Sequence, residues 1–396
     1  MDLHWLKPLL GRPAPFTTVF LDATRAESAG EAEAVDRWRA LRRSLERDGA
    51  SASVLDEIAD LVAVPAGRRG PQGRIIVADA DGVVVDRVLS EPPTHSVAVH
   101  GPIPALLPAI RSADEEVDVL VVAADRTGAD LTRKTCGAGA GQAQVEHVEG
   151  GHDDVHKSRE GGLERRSQTR AEDSWQRNAE LVAAEVDRKV RDGAPDLVLL
   201  TGDTRAVGFV REALGKDARG LLVEVSGGGR GDGVNVAAFD EKVADAAAQF
   251  RGKRRAAVLD RFATAQGRGD NAVTSLDDVI EVLRRGQVAE LVLDVDALSG
   301  TLAERELWVG PGPLELATSS ADLAAIGVDG DGDRYTADVA LVRAALGQDA
   351  GVTFADDGAA DLVDGVGALL RWSDESTPSE AVPSQSADQA RLRTVV

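Results

Sequence analysis

The sequence predicts an α/β protein made of three consecutive α/β domains followed by a polar tail. Short apolar runs of strand length recur along the chain, at residues 17–21, 117–123, 197–200, 221–225 and 288–295. Stretches with helical apolar spacing alternate with them, at residues 32–47, 276–285 and 337–346. Such alternation implies parallel or mixed sheets with helices packed on their faces. With 396 residues, 43% of them hydrophobic, the chain is long and apolar enough for several cores.

The first domain is expected over residues 1–114. Its strand 17–21 precedes an amphipathic helix, 32–47, that uses Val35, Trp38, Leu41 and Leu45, and then a second helix, 54–61. Apolar runs 74–78 and 83–85 flank Asp79-Ala80-Asp81-Gly82, and an Asp-Gly turn between two such runs predicts a β-hairpin. The proline-rich stretch 92–108 reads as a loop leading away.

The middle domain, 115–266, opens with strand 117–123, the turn Asp125-Arg126-Thr127-Gly128 and a returning strand, 129–132. Residues 148–163 are polar and glycine-punctuated, which predicts an exposed loop able to reach into another molecule. A long helix follows, because Trp175, Ala179, Val182 and Val186 fall on one stripe with charges between them. Pro195 ends the connection, and the wholly apolar run 197–200 predicts a buried, parallel strand. Helix 209–214, strand 221–225, the glycines of 227–233 and helix 237–250 complete this domain.

The third domain, 267–372, has the same alternation, with helix 276–285, strand 288–295, helix 337–346, strand 352–354 and a closing segment, 362–372. The tail 373–396 is rich in Ser, Pro, Gln and Glu and reads as disordered. The expected arrangement is extended, with the 148–163 loop at a distal tip.

The formal charge of −22 argues against general nucleic-acid binding. Residues 157–177 run against that trend, with six Lys or Arg to four Asp or Glu, so a local basic patch remains available. No apolar run approaches membrane-spanning length, and the start MDLHWLKPLL lacks the features of a secretion signal. The single cysteine, Cys136, can build neither a disulfide framework nor a cysteine–zinc site, and points to a reducing, cytoplasmic setting.

Several motifs fail on closer reading. His147, His152 and His156 with Asp153 and Asp154 lack the convergent geometry a metal needs. The stretch from Asp329 to Asp333 begins like a calcium loop but has Arg334 and Ala340 where Gly and Glu belong. Residues 227–233 follow a strand yet lack the Gly-Lys-Ser/Thr ending of a phosphate loop. Trp175 reads as core rather than as a base-stacking platform, and no cofactor is expected.

Taken together, the basic stretch Lys157–Leu163 with the arginines behind it, the glycine turn Ser226–Gly231, residues 275–290 and the glycine-rich residues 364–372 resemble the archaeo-eukaryotic class-1 release factors, the pelota-like family, and in particular their bacterial branch, which includes the hibernation factor Balon and related actinobacterial proteins. Lys157-Ser158-Arg159-Glu160-Gly161-Gly162-Leu163, with Arg165, Arg166, Arg170 and Arg177 behind it, is similar to that family's basic tip and its Arg-rich helix. Ser226-Gly227-Gly228-Gly229-Arg230-Gly231, with Asn235 downstream, resembles the glycine turn late in the family's middle domain. Residues 275–290 are similar to the opening of the third domain, and residues 364–372 resemble its glycine-rich closing strand. The first domain is the weakest match and lacks the family's stop-codon-reading motifs.

The resemblance implies three α/β domains, binding in the ribosomal A site between the decoding centre and the peptidyl transferase centre, and an association with elongation factor Tu. It implies ribosomal RNA contacts by Lys157, Arg159, Gly161, Gly162, Leu163, Arg165, Arg166 and Arg170. On spacing alone the same segment is a solvated basic loop. The family's catalytic glutamine is missing, since Leu163 stands where Gly-Gly-Gln would end. Leucine cannot supply glutamine's polar contacts, and neighbouring Glu164 would bring negative charge to a centre where negative charge develops. The expectation is therefore a non-enzymatic, cytoplasmic factor of ribosome hibernation and stress. The alternatives are a ribosome-rescue peptidyl-tRNA hydrolase and a stress protein acting through protein partners.

Overall fold

A computed structural model of the protein describes residues 3–24, 30–64, 72–89, 92–93, 95–137, 144–151, 164–231, 233–328, 330 and 332–378; side chains at position 4 and in 30–34, 144 and 164–171 are not described. Among the described residues the strands form four sheets, with helices on their faces.

The first sheet is antiparallel, in the order β3-β2-β1-β4. It comprises β1 (Phe16–Asp22), β2 (Gly73–Asp79), β3 (Gly82–Leu89) and β4 (Val97–Gly101), with α1 (Gly30–Arg47) and α2 (Ala52–Ala63) between β1 and β2. Strand β2 is buried along its whole length, and its alternation splits two cores. Ile76 and Ala78 join Val19, Trp38, Leu45 and Ile58 under α1 and α2. Ile75 and Val77 face the other way, toward α3 (Leu107–Glu115) and the 3₁₀ helix His4–Leu9. The Asp79–Gly82 hairpin turn is present, with those two residues paired in register.

That second core reaches beyond the first sheet. Leu6, Phe16, Ile103 and Ile110 share one apolar cluster with Leu341, Val342, Val352 and Phe354 of the third region. The first and third regions are therefore packed together, unlike the extended arrangement expected. The cause is the proline-rich stretch: it does not lead away, but forms edge strand β4 and carries Ile103 and Leu106 into the shared core.

The middle sheet has the order β7-β6-β5-β8-β9. Strands β5 (Val117–Ala124), β6 (Gly128–Cys136) and β7 (Gln144–Glu149) form an antiparallel meander. The long helix α4 (Glu164–Gly193) then returns the chain to β8 (Leu197–Gly202), which is parallel to β5. Helices α5 (Thr204–Ala213) and α6 (Lys216–Gly220) lead to β9 (Leu222–Glu224), parallel to β8. Leu120, Val122, Val198 and Leu200 pack on the Ala179–Val182–Val186 stripe of α4. Val119, Val121, Leu197 and Leu199 pack on the opposite face against α7 (Val236–Arg268). Coverage on both faces explains why β5 and β8 read as continuous apolar runs. Edge strand β7 has no such signal in the sequence: its residues 145–147 and 149 are exposed, so it carries no apolar run.

The third region holds two sheets. The larger has the order β10-β16-β11-β15 and comprises β10 (Ala272–Thr274), β11 (Val288–Asp294), β15 (Gly351–Ala355) and β16 (Val366–Leu370). Helices α8 (Leu276–Arg284) and α11 (Ala337–Gly347) contribute to the core it shares with the first region. The smaller sheet, β13-β12-β14, is made of β12 (Glu306–Val309), β13 (Leu316–Ala317) and β14 (Asp333–Thr336), with short helices α9 (Thr301–Glu304) and α10 (Ser320–Ala325) beside it. Residues 333–336 of the rejected calcium motif are strand. At the start of the tail, Thr377 accepts a hydrogen bond from buried Gln287 (2.8 Å) and Ser376 accepts from Arg285; residues 379–396 lie outside the described residues.

Helix α7 is far longer than the expected 237–250. Its first half buries Val243 and Ala247 against the middle sheet, and its second half buries Phe262 among Ala272, Val292, Ala355 and Leu369 of the third region. Arg254 and Arg255 from its middle pair with Asp114 at the end of α3, at 3.1 and 3.2 Å. One helix thus packs on two sheets and is tied to the first region.

Candidate functional site

The site starts where β5 and β8 end. Both are parallel and finish on the same edge, and loops following parallel strands line a crevice there. β5 runs into the turn Asp125-Arg126-Thr127-Gly128. Its geometry comes from Asp125, whose Oδ1 accepts from the amides of Thr127 (2.7 Å) and Gly128 (3.0 Å) and from the Thr127 hydroxyl (2.6 Å). Burial pushes the Asp125 carboxyl up, but the Thr127 hydroxyl and amide and the Arg230 charge outweigh it and hold the carboxyl below its ordinary range.

This turn holds both arms that lead to the segment 152–163. On the outgoing arm, the Gly150 amide donates to the Thr127 carbonyl at 2.7 Å. On the returning arm, Asn178 of α4 donates from Nδ2 to the Arg126 carbonyl at 3.0 Å. The arms also touch each other: a Cβ on Gly150 would lie 2.0 Å from the Asn178 side chain. Gly128 has the same constraint, since a Cβ there would lie 2.0 Å from the Val148 carbonyl oxygen. Only glycine allows these approaches.

Around the clamp the charges are paired. The Arg126 guanidinium lies over the ring of Trp175, 4.6 Å from its centroid, and bonds Asp203 at 3.2 Å. Asp203 also caps α5 by accepting from the amides of Arg205 and Ala206. Trp175 is buried, as expected of a core residue. From the glycine loop, Arg230 reaches back to Asp130 (Nε, 2.9 Å), Asp125 (Nη1, 3.1 Å) and the Thr127 hydroxyl (2.9 Å). The same loop is fixed by the Gly228 amide, which donates to Thr201 at the end of β8 at 3.0 Å. His147 Nδ1 shares Asp130 at 2.8 Å.

Of the residues expected to contact RNA, Lys157, Arg159, Gly161, Gly162 and Leu163 lie outside the described residues. Arg165, Arg166 and Arg170 lie on the first turns of α4, where only the backbone is described. Helix α4 starts eleven positions before Trp175, which corresponds to about 16 Å of helix leading from the segment to the clamp. Gln168 therefore sits about one turn inside the helix. Sequence reasoning placed the turn but missed what binds it: Arg230, Asn178 and Gly150 carried no local signal for the contacts they make. Among the described residues no group of three or more His, Cys, Asp or Glu side chains could hold a metal ion, and no helix is long and apolar enough to cross a membrane.

Comparison with known proteins bears on this same segment. Residues 118–268 match the family model Bacterial archaeo-eukaryotic release factor family 2. An uncharacterized protein of Mycobacterium tuberculosis, found in two strains, is 28% identical over 382 residues, covering 94% of this chain and 96% of the relative. The translation termination-like factor Dom34 of S. cerevisiae has a TM-score of 0.40 at 9% identity, over 78% of this chain and 82% of its own. A ribosome-bound archaeal Pelota has a TM-score of 0.37 at 12% identity, over 93% of each chain. The segment 118–268, which carries the middle sheet and both arms of the clamp, is thus similar to the bacterial archaeo-eukaryotic release factors described by that model.

Proposed function

We propose that the protein is a ribosome-associated factor that presents the basic segment 157–170 to ribosomal RNA and does not release peptide. The observation that carries this reading is the clamp. Both arms of the segment are anchored to one turn at the end of the middle sheet, within the stretch that matches the release-factor family model. A rigid base lets a basic segment be directed rather than dispersed, which limits the entropy lost when it docks. The chain's net charge of −22 disfavours RNA contact away from that segment.

The finer reading is occupancy of the A site in dormant or stressed cells, in the cytoplasm, with ribosomal RNA at the peptidyl transferase centre and elongation factor Tu as partners. Absence of catalysis is argued from Leu163, which has no hydrogen-bonding group to place a water against the ester. Loss of one well-placed polar group at such a site costs on the order of 10²–10³ in rate.

Two measurements test this. Replacing Lys157, Arg159, Arg165 and Arg166 with Ala should weaken co-sedimentation with ribosomes. It should also flatten the log–log salt dependence by about 0.7–0.9 for each phosphate that is no longer neutralised. An unchanged affinity and slope would show that the segment is a solvated surface. In single-turnover assays on ribosomes loaded with peptidyl-tRNA, the unmodified protein should release no peptide above background. Release that survives Leu163→Ala but vanishes on replacing Glu164 or Gln168 would establish the hydrolase reading instead.

A further inference from the structure

The first sheet ends in an unguarded edge. Among the described residues β4 pairs only with β1, so the backbone groups on its other side have no strand partner. Edge strands are normally kept from pairing by charges or prolines. The edge strands β3, β7, β9 and β14 each carry charged side chains, such as Asp86, Glu146, Glu224 and Arg334. Strand β4, Val-Ala-Val-His-Gly, carries none, in a chain with 28% charged residues. Its Val97 and Val99 are 48% and 38% exposed. They oppose Phe20 and Thr18 of β1, which puts both on one face of the sheet. Beside that face lies a groove of about 630 Å³, walled by Phe20, Val97, Pro108, Arg111, Val295 and Phe354. Unpaired backbone next to alternate exposed valines fits an extended strand rather than a compact ligand.

Size, charge and reach choose the strand. Five residues a side fall far short of the roughly 20–30 a side of a stable interface, so neither a second copy nor a separate partner is held well by this edge alone. Two copies would also bring net charges of −22 together. A tethered segment escapes that limit, because it meets the edge at an effective concentration on the order of millimolar. One segment of this chain has the right form. The run Arg391-Leu392-Arg393-Thr394-Val395-Val396 breaks from the Ser-, Pro- and Gln-rich stretch before it. Leu392, Thr394 and Val396 alternate with Arg391 and Arg393, a pattern that favours a strand with one apolar face. The run can also reach the groove. Thr377 is hydrogen-bonded to Gln287 just before β11, and Val295 just after β11 lines the groove. That span is about 26 Å along the strand, against up to about 43 Å for the extended chain from 378 to 391.

We propose that residues 391–396 pair with the outer edge of β4 and lay Leu392, Thr394 and Val396 over Val97, Val99 and the groove. The tail then closes the free edge and crosses the joint between the first and third regions, both of which line the groove.

Hydrogen exchange read by mass spectrometry on the full chain tests this. The 391–396 amides should exchange roughly tenfold or more slowly than those of a free peptide spanning 388–396. Val97→Lys combined with Val99→Lys should remove that protection. Removing residues 379–396, which takes away no described residue, should speed exchange by a similar factor at the 97–101 amides that face away from β1. Circular dichroism checks that each variant is folded; if the lysine variant unfolds, the shortened chain decides alone. Exchange of 391–396 at the free-peptide rate, protection that survives the lysine substitutions, or unchanged exchange of 97–101 in the shortened chain would each overturn the proposal. So would protection of 97–101 that fades on dilution while 391–396 stays unprotected, the signature of a second copy on this edge.

Discussion

Replacing Arg230 with Met isolates what holds the base of the tip. The substitution keeps much of the side chain's volume and removes three hydrogen bonds, to Asp130, Asp125 and Thr127. Two of these are ion pairs in which the Arg230 side chain is 16% exposed and its partners are 23% and 38% exposed. Fully exposed pairs contribute about 0.2–1 kcal/mol and hydrogen bonds to charged groups about 1.5–3, so partial burial places the loss near 2 kcal/mol. At about 1.4 kcal/mol per tenfold, local opening should become roughly thirty times more frequent. Hydrogen exchange read by mass spectrometry should show this at the Thr127, Gly128 and Gly228 amides, which the turn and the loop protect. The effect should depend on pH. The Asp125 carboxyl is held below its ordinary range, so its contribution is present above the unfolded value and lost as pH falls through the folded one. The difference between native and variant should therefore be full at neutral pH and shrink below about pH 4. Exchange altered less than threefold at neutral pH would show that Arg230 is a solvated residue and that the clamp holds without it.

Other consequences follow from the same contacts. Gly128→Ala places a methyl 2.0 Å from the Val148 carbonyl oxygen, so β6 and β7 must separate locally; denaturant unfolding should report a loss of about 2 kcal/mol or more, and a neutral result would show that this pairing yields without cost. Phe262→Ala empties a fully buried site between α7 and the third region; it should cost about 3–5 kcal/mol, seen in the melting transition of the third region, and a loss under about 1 kcal/mol would contradict the packing described.

Much of the fold was legible in the sequence because its signals are local. The 197–200 run could only be a strand covered on both faces, and it is. The Trp175–Ala179–Val182–Val186 stripe required a helix with one buried side, and all four are buried. The Asp79–Gly82 turn determined its hairpin without reference to anything distant. Helix α7 escaped for a definite reason. Its two halves bury different faces against different sheets, Val243 and Ala247 on one and Phe262 on the other, so no single stripe runs its length. The proline-rich stretch escaped because proline is an ordinary loop signal, yet β4 pairs at a sheet edge, where few ladder bonds are required.

The candidate site divides along the same line. Composition and order along the chain determined that a basic, glycine-containing segment precedes a long helix, while the family resemblance alone implies that Leu163 stands where a glutamine would be. Only the tertiary structure decided what the two arms flanking that segment are fixed to. Arg230 meets Asp125 and Asp130 from about a hundred positions away, and Asn178 meets the Arg126 carbonyl across 52. Phe20 and Phe354 line one groove from near opposite ends of the chain. Periodicity and turn chemistry act over a few residues, where backbone geometry restricts the choices. A contact between residues a hundred positions apart has no such local constraint, and it exists only once sheets and helices have packed.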